Sequence, residues 1–218
     1  MIYDLSIPIT DGTDWYREAG TIPVALRQVG SYGEGWVSHQ VALMVLNGTT
    51  YLETGAHLYS DMPTLDQMPP EKFIAKAHVV AVGSGGAPDG PPTALAAPGA
   101  PLPGFRPDED AILLYCGWDR HVDADDYYHA SPYFSAELQE WLLDHHPAIL
   151  GGDMLSYDHP ENAAMPFLHA FFRGGGMILC PLIGLDALPG TVTLYCAPLK
   201  LVGSSAAPCR ALALDMPR

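Results

Sequence analysis

Asn47-Gly48-Thr49-Thr50-Tyr51-Leu52-Glu53-Thr54-Gly55-Ala56-His57 is the densest run of polar side chains within an otherwise apolar context in this chain of 218 residues. Read as extended backbone, where side chains alternate between faces, it sets Asn47, Thr49, Tyr51, Glu53, Gly55 and His57 on one side. A carboxylate and an imidazole four residues apart on one face can converge on a cation or form an acid/base pair. The same residues also read as the polar, solvent-facing side of a strand with a helical turn after it. Asn47-Gly48 is a turn signal, and residues 37–46 before it alternate loosely and then turn apolar, as a buried strand would.

Working outward, residues 3–9 read as a short strand ended by Pro8, and residues 75–82 as another strand. Residues 83–107 are mostly Gly, Pro and Ala, so neither helix nor ladder is expected to persist there. That stretch reads as one long surface loop, either a functional arm or lid or a tolerated insertion. Ala111-Ile112-Leu113-Leu114-Tyr115 is a continuous apolar run, the pattern of a strand buried on both faces. Ser135 is a fitting N-cap for a helix over 136–145, with Leu138, Trp141 and Leu142 on its apolar side and Pro147 beyond it. Residues 148–153 form a short buried strand that ends on Asp153, and residues 166–173 a helix closed by Gly174-Gly175-Gly176. Strands over 177–180, 191–195 and 210–214 complete the pattern. Many strands and few helices predict a mixed α/β sheet, barrel-like, in a single domain over residues 1–218.

Lys and Arg total 10 against 25 Asp and Glu, a formal net charge of −15. Such a balance repels phosphate backbones and anionic lipid surfaces, which excludes nucleic acid and membrane as expected partners and favours a cation or metal ion. No basic, apolar leader pattern and no membrane-length apolar run is visible, so a cytoplasmic protein is expected. Cys116, Cys180, Cys196 and Cys209 are scattered without a CxxC pair, which fits free thiols in a reducing compartment.

Other polar residues read two ways. Asp153 and Ser156 follow a buried strand, where loops carry function, but they equally suit a capping Asp and a turn Ser. His169 stands alone on a helix, Cys180 suits a small hydrophobe, and Trp118 suits a core. His145-His146 at a helix end answers the helix dipole.

The order of these pieces resembles the metal-dependent cyclase and kynurenine formamidase family. Asp4-Leu5-Ser6 resembles its "DLS" opening, and its signature H-x-G-T-H-x-D-x-P-x-H aligns with residues 47–57. In that register Asn47 stands at the first His, Thr49-Thr50 at Gly-Thr, Tyr51 at the second His, Glu53 at Asp, Gly55 at Pro and His57 at the last His. Leu65-Asp66-Gln67-Met68-Pro69 is similar to "I-D-x-L-P", residues 112–118 to "VLLRTGW", and residues 132–141 to "P-x-L-S-x-E-x-A-x-W-L". Residues 151–156 are similar to "G-I-D-x-x-S"; His169 falls at the later ligand His, Cys180 at the Glu of "I-L-E", and Asp186 to Pro189 and Pro198 to Lys200 at the closing stretch. A rival register sets Glu53 at the first His, His57 at the second and Tyr59 at Asp, and loses the spacing to Leu65-Asp66.

The resemblance implies a cyclase-like (swivelling β/β/α) fold and a homodimer or homotetramer with exchanged arms, for which Trp15-Tyr16 and the 83–107 loop are candidates. It also implies hydrolysis of an amide, lactam or N-formyl group in a small, aromatic-leaning substrate, against which Trp118 could pack. The departures leave Glu53, His169 and Cys180 as metal ligands, with Asn47, Tyr51, Asp153 and Ser156 in substrate-binding or supporting places. An oxygen, a nitrogen and a sulfur suit one divalent ion, zinc before manganese, with an open position where a water's pKa falls to roughly 7. His57 would be the proton carrier. Two alternatives differ in class: a scaffold without metal that binds a small molecule or protein, and a metal-free acid/base enzyme using Glu53 and His57.

Overall fold

The computed structural model describes residues 1–14, 22–29, 38–43, 48–83, 85–87, 89–99 and 101–215. Among these, nine strands form one sheet: β1 (Ile2–Asp4), β4 (Tyr51–Glu53), β5 (Ile74–Ala81), β7 (Ala111–Tyr115), β9 (Ile149–Gly152), β10 (Met177–Cys180), β11 (Thr191–Tyr195), β12 (Ala206–Pro208) and β13 (Leu212–Leu214). Two short pairs stand apart, β2 (Ala25–Val29) with β3 (Ser38–Leu43) and β6 (Ala94–Leu95) with β8 (Tyr133–Phe134). The spatial order is β1-β13-β11-β5-β7-β9-β10-β4-β12, and the sheet curls into a half-barrel. Its centre, β5-β7-β9-β10, is parallel and its flanks are antiparallel, which is the expected mixed sheet.

Burial follows the apolar runs. β7 is buried from Ala111 to Leu114 because sheet neighbours and packing layers cover both of its faces. Ile112, Leu114, Leu150 and Ile178 on one face meet Leu138 and Leu142 of helix α1 (Ala136–His145) and Phe167, Phe171 and Phe172 of helix α2 (Pro166–Arg173). Leu52, Leu113, Leu179, Val192 and Leu194 on the other face pack with Leu65, Leu182 and Leu185. Gly151 of β9 sits where this packing is tightest: a Cβ there would lie 2.6 Å from Leu113 Cδ2 and 3.2 Å from the Leu179 carbonyl oxygen.

Both helices begin and end as the local chemistry dictates. Ser135 Oγ accepts from the Leu138 N–H at 3.3 Å, and His146 (φ 49°) closes α1 before Pro147. The Asp158 carboxylate accepts from the Phe167 and Leu168 N–H groups at 3.0 and 3.1 Å, placing negative charge at the start of α2.

Some expectations need trimming. The first strand stops at Asp4, after which Ser6 makes a single bridge to Leu182. The last strand begins at Leu212, not 210. Of the expected strand over 37–46, residues Ser38–Leu43 form β3, and 37 and 44–46 lie outside the described residues. Within 83–107, Ala94–Leu95 does form a ladder, with Tyr133–Phe134, because Leu95 is free to bury between the prolines. Trp15 and Tyr16 lie outside the described residues. The four cysteines are unbridged, Cys180 and Cys196 fully buried. No helix among the described residues is long and apolar enough to cross a membrane.

Candidate active site

All three residues of β4 are buried. The pleat sends Leu52 to one core layer and Tyr51 and Glu53 to the other side. β10 runs antiparallel beside it, with Cys180 opposite Tyr51 and Ile178 opposite Glu53, so a phenol, a carboxyl and a thiol share one face. Thr50 fixes the entry to β4: its hydroxyl donates to the Pro181 carbonyl at 2.7 Å and accepts from the Ile7 N–H at 2.9 Å.

Among the described residues of 47–57, the extended reading holds only across Tyr51–Glu53. Thr54 caps a 3-10 turn over Gly55–His57, its hydroxyl accepting from the Ala56 N–H. That turn folds His57 back so that Nδ1 lies 3.1 Å from Glu53 Oε1. Four residues of pleated strand would have carried the two roughly 13 Å apart. The turn also packs under α2. A Cβ on Gly55 would lie 2.4 Å from Met62 Sδ and 3.2 Å from Phe172 Cβ, so this close approach requires glycine.

Glu53 is 5% exposed, and burial pushes its carboxyl up to about 8. Its Oε1 receives no hydrogen bond of acceptable geometry from the described residues, although the His57 ring stands within ion-pair distance. Burial pushes the His57 imidazole down, so without a counter-charge both groups favour their neutral forms. Burial also drives the Cys180 thiol up to about 12, against hydrogen bonds from the hydroxyls of Tyr157, at 2.7 Å, and Tyr51.

His169 is half-buried on α2, and its Nδ1 lies 2.6 Å from the Tyr59 hydroxyl. Arg173, one helical turn further on, sets its Cζ 3.5 Å from the Tyr59 ring centroid and pairs with Asp61 at 3.0 Å. Tyr51, Glu53, His57 and Cys180 therefore gather around β4, and His169 reaches the same turn through Tyr59. Asn47 lies outside the described residues. Among the described residues no group of three His, Cys, Asp or Glu side chains is placed to hold a metal ion, so Glu53, His169 and Cys180 do not stand together as such a group.

The supporting residues divide. Asp153 accepts the N–H groups of Cys116, Gly117 and Trp118 and so builds the turn after β7. Trp118 is fully buried, its indole N–H donating to the Tyr127 carbonyl, so it serves the core and offers no face to a substrate. Ser156 is half-buried and makes no side-chain hydrogen bond to the described residues. Sequence reasoning missed Arg173 and Tyr157 and met Tyr59 only in the rival register; the His169/Arg173 spacing of four along a helix was the available signal for Arg173.

The donor chemistry fits a metal ion in part. A buried carboxyl oxygen without a hydrogen bond is what a bound cation answers, and Glu53 supplies it with the His57 nitrogen alongside. A phenol at Tyr51 and a thiol at Cys180 do not fit a two-ion centre. One buried carboxyl and one imidazole are the donors these side chains bring together.

The chain is similar to known proteins over most of its length. A kynurenine formamidase from Salinibacter ruber is 26% identical over 176 residues, covering 77% of this chain and 76% of the relative. Isatin hydrolase A from Labrenzia aggregata, solved with benzyl benzoate, superposes with a TM-score of 0.80 at 22% identity, over 98% of this chain and 93% of the other. A structure described as a potential metal-dependent hydrolase with cyclase activity gives a TM-score of 0.69 at 19% identity, over 100% of this chain and 99% of the other. Both superpositions show the fold. The Cyclase family model matches residues 3–159, from the first strand through β9 and past the Glu53–His57 turn, and the chain belongs to that family.

Proposed function

We propose that this chain is a metal-dependent hydrolase of an amide, lactam or N-formyl group in a small substrate. The observation that carries it is the buried Glu53 carboxyl with His57 Nδ1 3.1 Å away, in a chain similar to a protein named kynurenine formamidase. A single divalent ion, zinc by donor type with manganese second, would be held by Glu53; the His169 and Cys180 ligands that the resemblance implies would have to move to join it, because the three do not stand together among the described residues. When bound, such an ion supplies activated water at neutral pH and polarisation of the carbonyl.

The chain's own residues do the rest. With Nδ1 turned toward Glu53 at 3.1 Å, His57 would use Nε2 to take a proton from the attacking water and return it to the leaving nitrogen. Tyr51 and Tyr157 hold the Cys180 sulfur in place. Homo-oligomerisation and a cytoplasmic location belong to the same proposal.

The test is metal analysis of protein purified without chelator, followed by turnover on N-formyl aromatics and cyclic imides. About one ion per chain, with hydrolysis lost in Glu53→Gln, is the expected result. A second reading is favoured by the absence of a three-donor group among the described residues: a metal-free acid/base enzyme or a binding scaffold. Turnover that survives chelation selects the first of these; no metal and no turnover selects the second.

A further inference from the structure

We infer that Pro98, Pro101 and Pro103 of the Gly/Pro-rich arm and the open edge of β5 border a second ligand site, built on His78 and Asp110, that takes a small flat ring compound carrying an N–H or O–H donor. β5 continues to Ala81, but its ladder with β11 begins only where His78 stands opposite Thr191. Beyond that pair, one hydrogen bond from the Val79 N–H to the Gly190 carbonyl at 3.1 Å is all that β5 makes to that side. The three prolines face this edge across a cavity of about 650 Å³, within the roughly 300–1,000 Å³ of small-ligand pockets. Val80 adds to its apolar wall, and proline rings with fixed φ keep such a wall from collapsing inward.

The polar end of the cavity is set by buried charge. His78 lines it, is 3% exposed, and places Nε2 3.2 Å from Asp110 Oδ2. Asp110 is fully buried and also accepts from the Arg106 backbone N–H at 3.2 Å and the Arg106 guanidinium at 3.1 Å, with Lys76 Nζ 3.5 Å away. A carboxylate between two cations acts as an acceptor, so Nε2 of His78 carries the hydrogen and Nδ1 of the neutral ring keeps a lone pair. Nδ1 makes no hydrogen bond to the described residues. Thr191, the cross-strand partner of His78, stands on the same face and adds a hydroxyl. The imidazole is also held in place: Phe105 of the arm meets it edge to face at 5.3 Å, and Lys76 donates to the Gly104 carbonyl at 2.9 Å. A fixed acceptor at the end of an apolar slot selects a flat ring with one donor. None of these residues belongs to the Glu53 site, so the inference is independent of the proposed hydrolysis.

The experiment is calorimetric titration of the full chain with indole and with 1-methylindole, which share a ring system and differ in the N–H donor. The ring nitrogens of His78 are followed in parallel by NMR. Indole is expected to bind saturably and to move the His78 Nδ1 resonance, and 1-methylindole to bind about 5–10-fold more weakly. His78→Phe keeps a flat ring and removes the acceptor, so the two compounds should then bind within about 2-fold of each other. Thr191→Trp, at an exposed strand position, covers His78 and should abolish the shift; it carries the test if His78→Phe does not fold. Equal affinities for the two compounds in the parent overturn the inference. So does an indole isotherm without a His78 shift, parent-like binding in Thr191→Trp, or no saturable binding up to the solubility limit of indole.

Discussion

Glu53 and Asp153 are both buried carboxyl groups at the carboxyl ends of strands in one sheet, 5% and 1% exposed, and they are held in opposite ways. Asp153 accepts backbone N–H groups from Gly117 at 2.7 Å, Trp118 at 3.0 Å and Cys116 at 3.1 Å, and the Cys116 thiol adds a fourth donor at 3.3 Å. Glu53 has one oxygen with no hydrogen bond and a single imidazole nearby. Burial raises both groups, but the backbone donors pull Asp153 part of the way back, and nothing comparable acts on Glu53. A carboxyl group satisfied by the backbone builds a turn. One left short of partners is kept for something that binds.

Substitutions test that contrast, taken here in order of their expected effect on stability. Asp153→Ala strands three N–H donors and should cost about 3–5 kcal/mol, read as a lower urea midpoint. A parent-like midpoint would break the comparison. Glu53→Gln should act with the opposite sign in metal-stripped protein. The folded-state value near 8 lies above the ordinary 4.5, so the fold prefers the protonated group. The parent should therefore lose stability, on the order of 2–4 kcal/mol, as pH rises from about 5 to about 8. The variant should lack that slope, and matching pH curves from thermal melts would refute the assignment. Cys116→Ala removes one donor of four from Asp153 and should cost about 1 kcal/mol. His57→Ala, at a half-exposed ring, should move stability by no more than about 0.5 kcal/mol. Its turnover should nonetheless fall roughly 10²-fold or more in a hydrolysis assay.

The elements that could be read in advance are those whose signals are local. α1 and α2 begin and end where Ser135, Pro147, Pro166 and the three glycines say they should, and β7 occupies its apolar run. The resemblance located Glu53, His57 and Cys180 on neighbouring segments. The way Glu53 meets His57 was not legible, because a 3-10 turn capped by Thr54 replaced the expected pleat. Trp118 read both as core and, by the resemblance, as a face for substrate; its full burial against Tyr127 makes it core. The Tyr59–His169 contact joins positions 110 apart, and only the docking of α2 on the Gly55 turn creates it.

The unbridged cysteines carry a practical consequence. Burial holds the Cys196 thiol near 12 and pushes those of Cys116 and Cys209 upward, so all three stay protonated at neutral pH. A protonated, sequestered sulfur is a slow nucleophile. Cys196 lies at the end of β11 with no exposed surface, and reagents can reach it only when that part of the sheet comes apart. Its alkylation rate in native buffer is thus a built-in clock for how often the half-barrel opens.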